Sequence, residues 1–264
     1  MARSPHGRRK RIAKLKARVA SDADDHFLRC TIPGCGRPTA RAAKQGLSAT
    51  LCRKHLLHRQ RHGSAWCATP AATVLRPYVR AARSFISSNR ADPYVSHALA
   101  GLGALMASAG LAEIATRLRG LPAERRARIA LARLREAAIH PERLLAITLA
   151  VHSLIEEAPQ VVHRIREWRI VAIAKGCHRL ASVYRPWTFI GADGRVRRAA
   201  KQAYPRSAGR VLRSLGELIE HESGWVIEKH LTAMLALKVA RYGAHPATIN
   251  PVKFATAAGH RAHS

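Results

Sequence analysis

From Thr73 to about Tyr242, apolar residues mostly recur three and four positions apart, the period of helices with one buried face. Thr73 stands where a cap belongs, and Leu75, Tyr78, Val79, Ala82 and Phe85/Ile86 follow on one face. Asp92-Pro93 opens a second helix by the cap-then-proline rule and carries it to about Ser108. Shorter helices are predicted over 111–119, 122–139 and 141–157, with Pro122 and Pro141 in first-turn positions. A long helix is predicted over 160–184, and two more over 206–221 and 223–242. One stretch breaks the pattern. Trp187-Thr188-Phe189-Ile190-Gly191-Ala192-Asp193-Gly194-Arg195-Val196-Arg197-Arg198 reads as a β-hairpin turning at Asp193-Gly194.

Before Pro70 the chain is different. Residues 1–20 form a basic arm with eight bases and no acid, on which Ile12, Leu15 and Val19 share a helical stripe. Ser21-Asp22-Ala23-Asp24-Asp25 reads as a linker or a cap. A short module rich in cysteine and base follows, over 26–66. The fold class is therefore mainly α: a flexible arm over 1–25, a small N-terminal metal-held module, a domain of seven to eight helices with one hairpin over 70–243, and a loose tail over 244–264. No repeat of fixed period is apparent. A composition of 47% hydrophobic but only 5% aromatic residues favours helix over sheet in the same way.

Charge changes the picture. Forty-six Lys and Arg against sixteen Asp and Glu give a formal net charge of +30. Self-repulsion on that scale opposes compaction, and a polyanion is the usual compensating partner. Codon bias toward Arg accounts for Arg over Lys but not for the scarcity of acids. The excess is uneven: residues 1–91 carry twenty bases and three acids, and no acid occurs from His26 to Ala91. A second concentration runs from Arg169 to Arg213, with eleven bases and only Asp193 opposing them. Arg195, Arg197 and Arg198 fall on the hairpin, a wing able to track phosphates, or else a charged edge strand that resists aggregation.

Five cysteines without a secretory leader argue against a disulfide framework. Four residues separate Cys30 from Cys35, sixteen separate Cys35 from Cys52, and His55 lies three positions beyond Cys52. Two ligand pairs, each close in sequence, supply four soft or borderline donors with little loop entropy, which is what tetrahedral Zn²⁺ requires. Pro33-Gly34 gives the first pair a knuckle, and the second pair fits one face of a helix's first turn. All four positions being protein, the site reads as structural and not catalytic. His58 and His62 compete with His55 for the fourth place.

These residues resemble the short Cys-x4-Cys…Cys-x2-His zinc fingers of phage and mobile-element proteins, often found beside HNH nuclease domains. The likeness rests on Gly34-Cys35, Arg37-Pro38, Leu51-Cys52, His55 and Arg59-Gln60-Arg61-His62-Gly63, and covers about residues 30–63. Ala49-Thr50 lacks the glycine usual before Leu51, and the second loop is longer than in those fingers. The resemblance implies a metal-binding module, and the combination of knuckle and helix start is the layout of a treble-clef or related finger; the likeness does not specify the activity of the whole protein.

Arg37, Arg53, Lys54, Arg59 and Arg61 on the module, with Arg8, Arg9, Lys10 and Arg11 on the arm, are the candidate nucleic-acid contacts, with no acid close in sequence to pair them. Few aromatics on these segments weigh against stacking single-stranded bases, so duplex DNA is favoured over RNA. Cys67 reads as packing on Trp66, and Cys177 as a core thiol. His140-Pro141-Glu142-Arg143 has a recombinase-like His-x-x-Arg spacing, but Pro141 marks it as a helix start. Glu217, Glu220, Glu222 and Glu228 read as solvated helix surface. No paired catalytic carboxylates, phosphate-cradling loop or HNH signature stands out, which favours a binder over an enzyme. The expectation is a zinc-held, cytoplasmic DNA-binding accessory protein with a possible protein partner on its helical domain. An RNA-binding or ribosome-associated protein, or a nuclease or recombinase of unfamiliar design, is the alternative.

Overall fold

The computed structural model describes residues 29–40, 47–113, 118, 120–158, 165–181, 184–202, 207 and 209–246. The basic arm with Arg8, Arg9, Lys10 and Arg11, the linker, and residues 247–264 of the tail lie outside the described residues. The chain divides into two compact units, Met1–Leu57 and His58–Ser264.

In the first unit, a knuckle around Pro33-Gly34 is closed by the Cys30 N–H on the Arg37 carbonyl (2.9 Å) and the Cys35 N–H on the Ile32 carbonyl (3.1 Å). Gly34 takes φ 75°, which costs a residue without Cβ little. Helix α1 (Leu47–Thr50) is a single turn, and α2 (Arg53–His62) starts immediately after Cys52. The Thr31 N–H on the Thr50 carbonyl (3.0 Å) and the Ala40 N–H on the Leu51 carbonyl (2.9 Å) tie the knuckle to the start of α2.

The boundary between the units falls inside α2, earlier than the join expected at 66–70. The reason is local bonding: from His58 on, the chain is engaged within the second unit. His58 Nδ1 lies 2.8 Å from the Ser64 carbonyl, and the Gln60 carbonyl accepts from the Gly209 N–H at 2.7 Å.

The second unit holds α3 (Ala72–Ser88), α4 (Pro93–Ala107), α5 (Ala123–Glu136), α6 (Pro141–Glu157), α7 (Arg166–Leu180), α8 (Arg210–Glu222) and α9 (Gly224–Tyr242). Helix α6 buries ten residues between Leu144 and Leu154, apolar on nearly every face, as a helix surrounded by others must be. It packs against α3, α4, α7 and α9. Around it, α3 buries the stripe Leu75, Tyr78, Ala82, Phe85 and Ile86 anticipated from its period. Asp92 caps α4 through the N–H groups of Tyr94 and Val95, and Pro93 begins the helix. Helices α7 and α8 meet closely at Gly216, where an added Cβ would stand 2.2 Å from the Ile170 carbonyl oxygen.

Strands β1 (Tyr184–Ile190) and β2 (Val196–Gln202) form an antiparallel hairpin pairing Ile190 with Val196 and Tyr184 with Gln202. It is longer at both ends than the 187–198 expected, and the turn is as predicted, with Gly194 at φ 72°.

Two helix predictions need correction. Residues 111–113 of the expected 111–119 helix are not helical, and Leu111 is 83% exposed. The chain is held there by Arg135, whose guanidinium donates to the carbonyls of Met106 (3.1 Å), Ala107 (2.8 Å) and Gly110, taking up acceptors that end α4. Of the helix expected over 160–184, Arg166–Leu180 is helical while residues 165 and 181 are not, and residues 160–164 and 182–183 lie outside the described residues.

Candidate metal centre and basic surface

Three thiols and an imidazole converge at the end of the knuckle. The ligand atoms of Cys30, Cys35, Cys52 and His55 all lie within 4.8 Å of one another, close enough to bind one metal ion. Cys35 Sγ and Cys52 Sγ are 3.7 Å apart, and His55 Nδ1 is 3.2 Å from Cys30 Sγ and 3.5 Å from Cys52 Sγ. The short spacings produce this. The knuckle brings Cys30 and Cys35 together, while Cys52 at the N-cap and His55 one turn into α2 face the same way.

The surroundings act on two of the thiols in opposite directions. Burial alone would raise the Cys52 thiol, yet the backbone N–H groups of His55 and Lys54 at the helix start, with the thiols of Cys35 and Cys30, bring it below its ordinary value. For Cys35 the Arg37 N–H acts the same way, but desolvation and the neighbouring thiols outweigh it, and its pKa is raised. Three sulfurs this close repel one another as anions, a cost a cation removes.

His58 and His62 are occupied elsewhere, His58 with the Ser64 carbonyl and His62 with Thr69 and Lys175. The other cysteines are isolated. Cys177 is fully buried and its thiol is pushed far up. Cys67 packs on the core of the second unit, and Trp66 beside it is 56% exposed.

Arg37, Arg53 and Lys54 are exposed, as is Arg29, and no acid exists within residues 26–91 to neutralise them. Arg61 is exposed as well. Arg59 is not free: its Nε donates to Glu167 at 3.0 Å, and Arg213 shares the same carboxylate. Sequence distance hid that partner, 108 positions away. On the hairpin, Arg195 sits in the turn and is exposed, and Arg197 pairs with Asp193 at 2.9 Å; Arg198 stands in register with Thr188 on the ladder.

The glutamates read as solvated also divide. Glu220 is largely buried and pairs with Arg169 (2.6 Å) and His152 (3.1 Å). Although burial opposes ionisation, these partners hold its carboxyl well below the usual range. Glu217 stays near the surface with Arg166 at 3.4 Å. His140 caps α6 by accepting from the Glu142 N–H at 3.3 Å, so the recombinase-like spacing is a helix start. No helix among the described residues is long and apolar enough to cross a membrane.

Set against family models, curated proteins and solved structures, the chain matches none.

Proposed function

We propose that the chain binds nucleic acid, with duplex DNA preferred, through a basic surface held in shape by a structural Zn²⁺ on Cys30, Cys35, Cys52 and His55. One observation carries this reading: a cysteine–histidine cluster with metal-site dimensions sits inside a stretch without a single acid. Two thiolates each about 2.3 Å from a common Zn²⁺ at tetrahedral angles stand about 3.8 Å apart, and the Cys35–Cys52 separation is 3.7 Å. Four protein donors close the coordination shell, so the ion would stabilise the fold and take no part in chemistry. Arg29, Arg37, Arg53 and Lys54 then form an exposed cationic surface on a scaffold fixed by that ion. Releasing condensed counterions from the phosphate backbone is the driving force such a surface exploits. On this reading the protein belongs among accessory binders of phage or mobile elements, in the cytoplasm, and not among enzymes.

The test measures affinity for duplex DNA, single strands and structured RNA of matched length as salt is varied. Steep salt dependence with duplex ahead is the expected result, and Lys54→Gln should reduce the slope of log K against log salt by about one. Tighter binding to RNA at matched length would replace the DNA reading with the RNA one. Metal-dependent nicking of supercoiled DNA by purified protein would overturn the assignment as a binder.

A further inference from the structure

Within the helical unit, α3 and α7 flank a cavity of about 280 Å³ that opens to solvent. Its wall is apolar, with Leu75, Val79 and Ile147 contributing. Five cations line it: Arg76, Arg80 and Arg83 from α3, Lys175 and Arg179 from α7. They follow from helical spacing, i, i+4, i+7 on one helix and i, i+4 on the other. Among the described residues, no carboxylate lines the cavity. Of the five cations, Arg83 approaches Glu142 at 3.9 Å, and that glutamate is more closely held by Arg90 at 2.9 Å.

Lys175 is the most informative of the five. Its ammonium lies 2.9 Å from Thr69 Oγ1 and 3.2 Å from His62 Nδ1. His62 Nδ1 also accepts from the Thr69 N–H at 3.0 Å. A backbone amide and an ammonium can only donate, so Nδ1 is the bare nitrogen and the imidazole is neutral. Burial, with Lys175, His58, Arg61 and Arg179 nearby, lowers the His62 pKa to about 4, in agreement. Lys175 is thus aimed by two neutral partners that leave its charge uncancelled. Burial first, and then the neighbouring Arg179 and Arg61, bring its own pKa down to about 8.

We propose that this cavity binds a phosphomonoester dianion carried on a body about the size of one nucleotide. Guanidinium forks match phosphate oxygens bidentately, and a dianion offsets more of a five-cation cluster than a carboxylate can. The volume lies near the lower end of the roughly 300–1,000 Å³ of small-molecule sites, too small for a length of duplex. Among the described residues, no aromatic side chain lines it to stack a base, so the apolar wall meets a sugar or aliphatic body. Two sources offer this chemistry: the 5′-terminal phosphate of a nucleic-acid strand, or a free sugar phosphate.

The experiment uses the full chain, and Arg80→Gln with Arg179→Gln as the variant, both arginines being exposed and so replaceable without disturbing the core. Calorimetric titration compares a short duplex bearing 5′-phosphates with its 5′-hydroxyl twin, and ribose 5-phosphate alone. Binding at least about tenfold tighter to the phosphorylated duplex, erased in the variant, identifies a strand end as the occupant. Saturable binding of one ribose 5-phosphate per chain, weakened at least about tenfold in the variant, identifies the free source. Equal affinity for both duplexes together with no variant-sensitive ribose 5-phosphate binding overturns the proposal while leaving general nucleic-acid binding intact. Loss of duplex binding with ribose 5-phosphate still bound does the reverse.

Discussion

The two units solve the problem of staying folded in opposite ways. Among the described residues of 29–57, the buried apolar side chains reduce to Leu51 and two of the cysteines, Cys30 and Cys52. In the helical unit, α6 alone buries more than that, and Trp168, Tyr78, Leu102 and Leu131 are among the side chains wholly out of water around it. Burial at about 25 cal/mol per Å² can hold the second but not the first. On the zinc reading, the comparison teaches where a metal would be needed: where basic surface has displaced apolar residues, coordination bonds would take their place.

The sharpest way to break that comparison is to remove the proposed ion. Structural zinc contributes on the order of 10 kcal/mol of folding free energy. A strong chelator, or Cys52→Ser, should therefore abolish amide protection across residues 29–57 by hydrogen exchange while the helical unit unfolds at its former denaturant concentration. Stoichiometric zinc in protein purified without chelator is the companion measurement. Retained protection in metal-free protein would show that the module has some other source of stability.

Next in size is the buried charge of the helical unit. Glu157 accepts from Lys238 Nζ, the Tyr78 hydroxyl and the His245 N–H, and Lys238 lies 4.3 Å over the Tyr78 ring. Both charges are nearly sealed from water, with side-chain exposures of 3% for Lys238 and 6% for Glu157. Removing one partner strands the other, so Lys238→Ala should cost about 3–5 kcal/mol in urea unfolding. Lys238→Met with Glu157→Gln should recover most of it, since a pair deleted together leaves no orphan charge.

A smaller loss is expected at the α7–α8 contact. Gly216→Ala places a methyl group against the Ile170 backbone, and separating the helices should cost about 1–3 kcal/mol. Metal content and the exchange pattern of residues 29–57 should not change, which sharpens the contrast between the units.

The mildest test is pH. His62 is depressed from 6.5 to about 4 in the fold, chiefly by burial. Between those values the unfolded chain binds the extra proton. The contribution of His62 is therefore complete above pH 6.5 and is lost as pH falls toward 4. Unfolding midpoints measured across that window should decline with acid, and His62→Gln should flatten the decline. The carboxylates Glu157 and Glu220, both held below their ordinary range, give a separate loss at lower pH.

Much of the fold and of the metal cluster is legible in the order of residues. The cap at Asp92, the helix starts at His140-Pro141 and Pro122, the turn at Asp193-Gly194 and the four-ligand cluster are all local signals within a few residues, or two local pairs joined by one loop. What the pattern misses is long-range. Arg59 and Arg213 read as free bases, yet both meet Glu167; Glu220 reads as solvated, yet it holds α6, α7 and α8 together through His152 and Arg169. An acid-free run of sequence says nothing about which acid folds against it from another helix.

The sequence by itself determined the helical class, the hairpin, the cysteine–histidine cluster and the excess of positive charge, because helical period, turn chemistry and residue spacing act over short distances along the chain. Tertiary structure alone decided which of those charges are spent on internal carboxylates and which stay open to a partner. It also decided that arginines from α3 and α7 should share one cavity with Lys175. Both outcomes depend on helix packing, which sets the distances between charges that sequence separation leaves undetermined.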